Sequence, residues 1–290
     1  MYNRSEGFFK GYQDVKLFFQ VWKNPQAQGT IIFTHGHGEH SESYSRLTRA
    51  FENDAWTFYG WDIRGHGRSE GRRGYASDFE DYCQDFKLFL DMVLQDEKVQ
   101  KGPVVLLSHS MGGLISIKTI LRNPDIKFDG FVASAPFLGL ALGVPAWKSS
   151  GSNLLNKFLP EITMGTGIEN FMLTSDPDVI REYEQDSLRH TRMSPGVFVG
   201  IQKAWEFVRP RANEIKKPFL LLIPEQDPVC STPDGKLFFN NILSTRKEIF
   251  IYPNAKHELF NDVMRTTVFS DLKKFLDSFL VKSANSKNGV

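Results

Sequence analysis

Ser110 is the residue whose surroundings most clearly indicate chemistry. Residues 104–117 read VVLLSHSMGGLISI. The apolar run at the start is typical of a buried parallel strand, and the three-to-four spacing of apolar residues after the turn predicts a helix. A serine on a tight strand-to-helix turn is presented as a nucleophile at the end of the strand, provided that its neighbours are small. Ser108 and Gly112, two residues to either side, meet that requirement.

An acid and a histidine follow Ser110 in the order that such a nucleophile needs. The apolar run 219–223 predicts another buried strand, and Asp227 lies in the loop directly after it. The loop after the last predicted strand carries His257. A serine hydroxyl needs a base, a neutral imidazole can accept its proton and later return it, and a buried carboxylate fixes the imidazole tautomer. We therefore predict a catalytic triad of Ser110, Asp227 and His257, with Glu225 as the nearest alternative acid.

Purely structural roles are the alternatives for two of these residues. Asp227 would then be a turn or helix-cap aspartate, and His257 a histidine of a surface loop. Their shared chain order with Ser110 favours the catalytic interpretation over these alternatives.

A glycine-rich loop after an early strand is predicted to complete the machinery for acyl transfer. The sequence HGHGEHS at 35–41 follows the apolar run TIIFT at 30–34. Acyl transfer passes through a tetrahedral oxyanion, which preorganised backbone N–H groups stabilise. We assign one donor to the amide of Met111, directly after the nucleophile, and the second to the amide of His37, whose glycine neighbours let the backbone approach closely.

The histidines of this loop also raise the alternative of a metal site. His35, His37 and His40 are clustered, but the sequence contains neither an H-E-x-x-H motif nor a Cys/His ligand spacing. We therefore predict no metal and no cofactor. His35 and His40 are interpreted as residues that stabilise the turn, and His190 as part of a lid.

Four segments of the sequence resemble monoglyceride lipases and the related lysophospholipases. HGHGEHSESY at 35–44 is similar to the family's HGxGEHSxRY, and SHSMGG at 108–113 to its GHSMGG. DIRGHGRSEG at 62–71 is similar to the family's DxxGHGxSxG turn, and LTSDPDVIREYEQDSLRH at 173–190 to its cap segment LTxDPxxxxxYxxDPLxH. The resemblance covers nearly the whole chain.

This resemblance implies an α/β-hydrolase fold and the same site. By motif, the catalytic residues are Ser110, Asp227 and His257, and the oxyanion donors are the amides of His37 and Met111. The sequence departs from the family pattern at three positions. A glycine is replaced by Ser108, a small apolar residue by His37 and a proline by Ser187.

Composition is that of an ordinary globular protein. The 290 residues are 41% hydrophobic and 24% charged, and the formal net charge of +1 gives no case for a nucleic-acid partner. The N-terminal sequence lacks the apolar core of a signal peptide, and the longest uncharged run, 131–147, is too interrupted by proline and glycine to span a membrane. Cys83 and Cys230 lack metal or redox spacing and are predicted to be free thiols in a reducing compartment. We expect a cytoplasmic protein, either free or peripheral at a membrane surface.

The order of predicted elements indicates one α/β-hydrolase core with an inserted helical cap. Strands and helices alternate in 1–136, after a hairpin at 8–24, and again in 214–290, which predicts a mostly parallel central sheet flanked by helices. Between 137 and 213 this alternation stops, and we interpret 137–213 as a cap over the active site. The remaining predicted strands lie at 30–34, 56–61, 130–134, 219–223 and 248–252.

Local signals also predict two helix boundaries. The sequence SDFE at 77–80 has the form of a capping box, in which Ser77 would cap the helix and Glu80 would return the bond. The last helix is predicted at 262–280, followed by a disordered tail at 281–290.

The cap is expected to decide which substrate is accepted. Most of its apolar side chains are expected to pack in the cap's own core, and the others to line an acyl channel or to contact a membrane surface transiently. Each methylene group buried in such a channel contributes about 0.8 kcal/mol, so long acyl chains would be favoured. The candidates for substrate contact are Leu138, Leu140, Trp147, Leu154, Leu155 and Phe158.

Together these observations predict a serine hydrolase that cleaves carboxylic esters of lipids through an acyl-enzyme on Ser110. The resemblance implies a monoacylglycerol or a lysophospholipid as the substrate. One alternative is an esterase, thioesterase or acyltransferase that uses another acyl donor. The other is a non-catalytic α/β-hydrolase-fold binding protein, which the intact triad disfavours. Dehalogenase and epoxide-hydrolase chemistry is disfavoured because those enzymes have an aspartate where this chain has Ser110.

Overall fold

The computed structural model describes residues 2–141 and 161–287, with side chains described as far as residue 280. Its strands are β1 Asn3–Lys10, β2 Lys16–Lys23, β3 Gly29–Thr34, β4 Trp56–Trp61, β5 Val104–His109, β6 Gly130–Ser134, β7 Met164–Gly165, β8 Arg192–Met193, β9 Phe219–Pro224 and β10 Lys247–Tyr252. Its α-helices are α1 Ser45–Ala50, α2 Phe79–Leu94, α3 Ser110–Arg122, α4 Asn170–Leu173, α5 Pro177–Gln185, α6 Pro195–Val208, α7 Thr232–Asn241 and α8 Arg265–Lys287.

An eight-stranded sheet forms the centre of the fold, in the order β1-β2-β4-β3-β5-β6-β9-β10. The pairs β1–β2 and β2–β4 are antiparallel, and the other pairs are parallel. The predicted mostly parallel sheet is therefore confirmed, and so is the hairpin, in which Phe9 pairs with Leu17. Thr34 pairs with Ser108, and Ser108 with Ala133, so the loops after these three strands leave the same edge of the sheet.

The central strands are apolar along their whole length because both faces of the sheet are covered. All six residues of β5 are buried. Leu106 belongs to a core that it shares with α2, α3 and α6, whereas Val105 and Leu107 belong to a second core, shared with α1 and α8. The alternating direction of side chains along a strand distributes one apolar run between two cores.

Two of the predicted helix boundaries are wrong. The capping box of α2 uses Asp78 and Asp81 rather than Ser77 and Glu80. The Ser77 hydroxyl instead donates to Asp81 Oδ2 at 2.7 Å, so the box is shifted by one residue. The last helix runs from Arg265 to Lys287, so the prediction of disorder fails at least as far as Lys287, because no proline or glycine stops the helix there.

The residues between β6 and β9 add no strand to the central sheet within the described part of that segment. Residues 161–213 contain α4, α5, α6 and an isolated ribbon in which β7 and β8 pair antiparallel. Throughout the described ranges, no helix combines the length and the apolar character that crossing a membrane requires.

Candidate active site

Ser110 lies at the junction of β5 and α3 with its backbone in the left-handed region, at a φ of 51°. A non-glycine residue held there is strained, and such strain is typical of residues that a fold presents for function. The close approach of neighbouring segments maintains the turn. A Cβ atom on Gly112 would lie 2.2 Å from the carbonyl oxygen of His35, so only glycine fits at that position.

Ser108, which replaces a glycine of the family pattern, is accommodated by a second serine. Ser108 is fully buried, and its Oγ lies 2.8 Å from Ser116 Oγ on the next helix. A hydroxyl that would otherwise be buried without a partner is thus satisfied.

A continuous hydrogen-bonded relay connects Ser110, His257 and Asp227. Nε2 of His257 lies 2.9 Å from Ser110 Oγ, and its Nδ1 lies 2.8 Å from Asp227 Oδ2. The other carboxylate oxygen of Asp227 accepts the backbone N–H groups of Val229, at 2.8 Å, and Cys230, at 3.0 Å. These bonds fix the carboxylate before any proton moves.

Glu225, the alternative acid, is exposed on the same loop. Asp227 is 7% exposed and faces the imidazole, so the structure brings Asp227 rather than Glu225 to His257.

The electrostatics of the relay favour transfer of a proton to the imidazole. Burial would lower the pKa of His257, but the adjacent carboxylate of Asp227 outweighs burial and raises that pKa well above its ordinary value. Burial would likewise raise the pKa of Asp227, but His257 and the two backbone donors outweigh it, and the pKa of Asp227 is lowered. An imidazolium formed beside Ser110 is therefore stabilised by a carboxylate that stays ionised.

Cys230 is a neighbour of the nucleophile that the sequence did not assign to the site. Its Sγ lies 3.9 Å from Ser110 Oγ. Burial raises the pKa of this thiol, so it remains protonated. Cys230 and Cys83 are both free, as predicted.

The two predicted oxyanion donors lie on segments that meet at Ser110. Met111 is the second residue of α3, where helix geometry leaves N–H groups without a partner. Gly36 lies directly against the nucleophile, because a Cβ on Gly36 would be 3.0 Å from Ser110 Cβ. The next N–H along the chain, that of His37, makes no backbone hydrogen bond within the described residues.

The His37 side chain packs in a cluster of imidazoles. Its ring lies edge-on to the rings of His66 and His190, with ring centroids 5.3 Å apart in both pairs. Burial, and then the nearby His190, lower the pKa of His37 to about 3, so the ring is neutral.

The oxyanion loop is also attached to the segment that precedes β8. The N–H of His190 donates to Gly38 O at 3.0 Å, and His40 Nε2 lies 2.7 Å from Asp186 Oδ2. His40 was predicted to stabilise its own turn, but its side chain instead contacts Asp186 on a distant segment.

The candidate metal-ligating groups do not include the loop histidines. Among the described residues, the ligand atoms that lie within 4.8 Å of one another belong to Asp227, Cys230 and His257. Two of these residues form the relay to Ser110, and the third packs against it.

A buried ionic network beside the relay was missed by sequence reasoning. The guanidinium of Arg189 and the hydroxyl of Tyr183 both donate to the carboxylate of Glu258, the residue after His257. Burial would raise the pKa of Glu258, but Arg189 outweighs it and the pKa is lowered. Burial and the nearby Glu258 raise the pKa of Glu39, which is also buried, to about 8. The sequence signal was present, since these charged residues stand within the motifs at 35–44 and 173–190 or beside His257.

The structure describes two of the six candidate substrate contacts. Leu138 is fully buried in the core shared with α2 and α3. Leu140 packs against that core and forms an isolated bridge with Cys230, the neighbour of Ser110. Trp147, Leu154, Leu155 and Phe158 lie outside the described residues.

Comparison with known proteins finds matches over most of the chain. Residues 25–264 match the model of the family described as serine aminopeptidase, S33. The monoacylglycerol lipase of Mycolicibacterium smegmatis is 26% identical over 96% of this chain and 98% of its own length. The phospholipase YtpA of Bacillus subtilis is 26% identical over 90% of this chain and 99% of its own length. The monoglyceride lipase of Homo sapiens is 31% identical over 90% of this chain and 86% of its own length.

Solved structures with the same architecture include a monoacylglycerol lipase and a monoglyceride lipase. The crystal structure of Paleococcus ferrophilus monoacylglycerol lipase matches with a TM-score of 0.82 and 26% identity, over 91% of this chain and 99% of that chain. A soluble variant of the monoglyceride lipase from Saccharomyces cerevisiae, in complex with a substrate analogue, matches with a TM-score of 0.83 over 94% of each chain. At 22% identity, the second likeness concerns the fold alone.

Proposed function

The chain belongs to the family described as serine aminopeptidase, S33, and on that premise we propose that it is a serine hydrolase of lipid carboxylic esters. The observation that carries the proposal is the relay of 2.9 Å and 2.8 Å from Ser110 through His257 to Asp227. The strained backbone of Ser110 supports the same chemistry, and so does the N–H of His37, which makes no backbone hydrogen bond within the described residues.

In the proposed reaction, Ser110 Oγ attacks the ester carbonyl while Nε2 of His257 accepts its proton. The amides of His37 and Met111 stabilise the oxyanion of the tetrahedral intermediate. His257 then donates the proton to the leaving alcohol, and an acyl-enzyme remains on Ser110. A water molecule, deprotonated by His257, attacks the acyl group, and collapse of the second intermediate releases the fatty acid and restores the serine.

Lipid esters are the proposed substrate class because of three relatives that align over most of their own lengths. Two are named for monoacylglycerols and one for phospholipids. The shared chemistry is a carboxylic ester between an acyl chain and a glycerol backbone, and we propose a monoacylglycerol or a lysophospholipid as the substrate. The family description also includes a peptidase activity, so a peptide bond is the competing target.

We further propose that 137–213 forms a cap over the site. Support comes from the described part of this segment, which adds no strand to the central sheet and contacts the catalytic loops directly. The N–H of His257 donates to Met172 O at 3.4 Å, and the N–H of Glu258 donates to Leu173 O at 2.8 Å. A cap in this position would control access of the acyl chain, and its apolar residues would contact a membrane surface transiently while the protein remains cytoplasmic or peripheral.

The test is a hydrolysis panel combined with covalent labelling. The wild-type protein and the Ser110→Ala variant are labelled with a fluorophosphonate probe in one set of reactions. Unlabelled samples of both are assayed separately with monoacylglycerols, lysophospholipids, short p-nitrophenyl esters, acyl thioesters and an aminoacyl p-nitroanilide. The proposal expects labelling and lipid-ester hydrolysis by the wild type alone. Preference for the short ester, the thioester or the anilide would show that the substrate belongs to that class rather than to the lipid esters. Absence of both labelling and turnover would indicate a non-catalytic binding protein.

A further inference from the structure

The peptide unit that joins Gly36 to His37 is held by a hydrogen bond at its carbonyl end. Nδ1 of His35 lies 2.7 Å from Gly36 O. The N–H at the other end of this unit is that of His37, the proposed second oxyanion donor. Because the described peptide bonds are all trans, the C=O and N–H of the unit point in opposite directions. Fixing the direction of the Gly36 carbonyl therefore fixes the direction of the His37 N–H.

The second ring nitrogen of His35 determines the tautomer of that imidazole. Nε2 of His35 lies 2.9 Å from the backbone nitrogen of Ile63, and a backbone amide can only donate. Nε2 must therefore be the unprotonated nitrogen, and Nδ1 carries the hydrogen. The ring is fully buried, and burial lowers its pKa well below the ordinary value, which keeps it neutral.

We infer that His35 is a positioning residue for the oxyanion hole. Its hydrogen bonds form a chain from the Ile63 N–H, through the imidazole, to the Gly36 carbonyl and so to the His37 N–H. A carbonyl that accepts a hydrogen bond polarises its peptide unit, so the same contact strengthens the N–H as a donor. This inference rests on the proposed hydrolase function, within which it assigns a role to a residue outside the triad.

The other end of Gly36 is fixed as well. Its N–H donates to Oε1 of the buried Glu39, which also accepts from the hydroxyl of Tyr44 at 3.2 Å. The loop is thus held at the N–H of Gly36 by the carboxyl group of Glu39 and at its C=O by His35. With both groups of Gly36 bonded, the following peptide unit has little freedom to rotate.

The inference is tested by two substitutions that each preserve one half of the imidazole. In His35→Asn, the amide nitrogen occupies the place of Nδ1 and still donates to Gly36 O, while the acceptor for Ile63 is lost. In His35→Gln, the longer side chain reaches the place of Nε2 and accepts from Ile63, while Gly36 O loses its donor. We expect His35→Asn to keep most of the wild-type kcat, and His35→Gln to lose about 10²-fold in kcat with little change in KM, because a misdirected donor fails mainly in the transition state.

Two further measurements separate positioning from general destabilisation. A boronic acid that forms a tetrahedral adduct with Ser110 should lose affinity in His35→Gln in parallel with kcat, and not in His35→Asn. Ser244→Ala is the control for the loss of a buried hydrogen bond, since Ser244 is buried and its hydroxyl donates to Arg246 O at 3.0 Å before the start of β10, outside the segments that meet at Ser110. Equal losses in His35→Asn and His35→Gln, or an equal loss in Ser244→Ala, would overturn the positioning role.

An activity-independent readout keeps the inference separate from the proposed function. In protein with ¹⁵N-labelled histidine, His35 should show a proton bonded to Nδ1 and none on Nε2, and the amide signal of His37 should shift in His35→Gln. An Nε2–H tautomer, or a His37 amide that does not respond, would overturn the inference even in an active enzyme. A protein that shows these signals but hydrolyses none of the panel would overturn the proposed function and leave the positioning contact standing.

Discussion

Replacing Asp227 with asparagine is expected to reduce kcat by about 10⁴-fold and to leave the fold intact. Oδ1 of Asp227 accepts two backbone N–H groups, from Val229 and Cys230. In Asp227→Asn those donors select the amide oxygen for the same place, which turns the amide NH₂ group toward His257. The loop therefore keeps its hydrogen bonds.

The cost appears at the imidazole. Because the amide NH₂ group of the variant donates to Nδ1 of His257, Nδ1 has to be the unprotonated nitrogen. The ring proton therefore lies on Nε2, the atom that is 2.9 Å from Ser110 Oγ. An imidazole in that tautomer cannot accept the serine proton. A reduction of about 10⁴-fold in kcat corresponds to a loss of about 5.5 kcal/mol of transition-state stabilisation, since each factor of ten corresponds to about 1.4 kcal/mol.

The assay is kcat for a soluble p-nitrophenyl ester, together with the rate of fluorophosphonate labelling and the melting temperature. Glu225→Gln is the matched control, because it removes a carboxylate from the same loop at an exposed position. We expect wild-type kcat in that control. The reasoning fails if Asp227→Asn keeps kcat within about tenfold of wild type, or if Glu225→Gln proves the more damaging change.

Three further outcomes follow from the same geometry. His37→Ala should keep most of the activity because alanine retains the backbone N–H. His37→Pro removes that donor and should reduce kcat by about 10²–10³-fold. An equal loss in both variants, or inhibition by a chelator, would instead indicate a role for the imidazole. Gly112→Ala should lower both the melting temperature and fluorophosphonate labelling, since its Cβ would meet His35 O at 2.2 Å, and an unchanged variant would contradict the close approach. Activity requires neutral His257, so kcat/KM should rise with pH through the pKa of this imidazole. Because Asp227 raises that pKa, the rise in kcat/KM should occur at lower pH in Asp227→Asn. A rise that stays at the same pH in Asp227→Asn would contradict this coupling.

The elements that position the site were predictable because the signals for them are local. An apolar run long enough to cross a sheet covered on both faces is visible in the sequence itself, and the bounds of β3 and β9 were predicted within one residue. The elbow at Ser110 was predictable for a related reason. A left-handed turn between a strand and a helix restricts the size of its neighbours, and that restriction is visible as Ser108 and Gly112.

Helix ends were less predictable, since neighbouring residues compete for the same cap. Ser77, Asp78 and Asp81 all carry oxygens that can bond free N–H groups at the start of α2. The one-residue shift of the capping box depends on which side chain the packed helix can reach. A choice of this kind involves small energy differences that sequence pattern does not resolve.

Contacts between distant segments were decided only by the tertiary structure. The sequence placed Glu258 beside His257 but gave no sign that Arg189 would reach it, because the two residues are 69 positions apart and meet only when the segment before β8 packs against the last loop. The tautomer of His35 was likewise decided by the tertiary structure, since it depends on the backbone N–H of Ile63, 28 residues away. Chain sequence specifies which residues prefer strand, turn or burial, whereas a buried polar group acquires its partner, its charge state and its proton position only from the segments that folding brings against it.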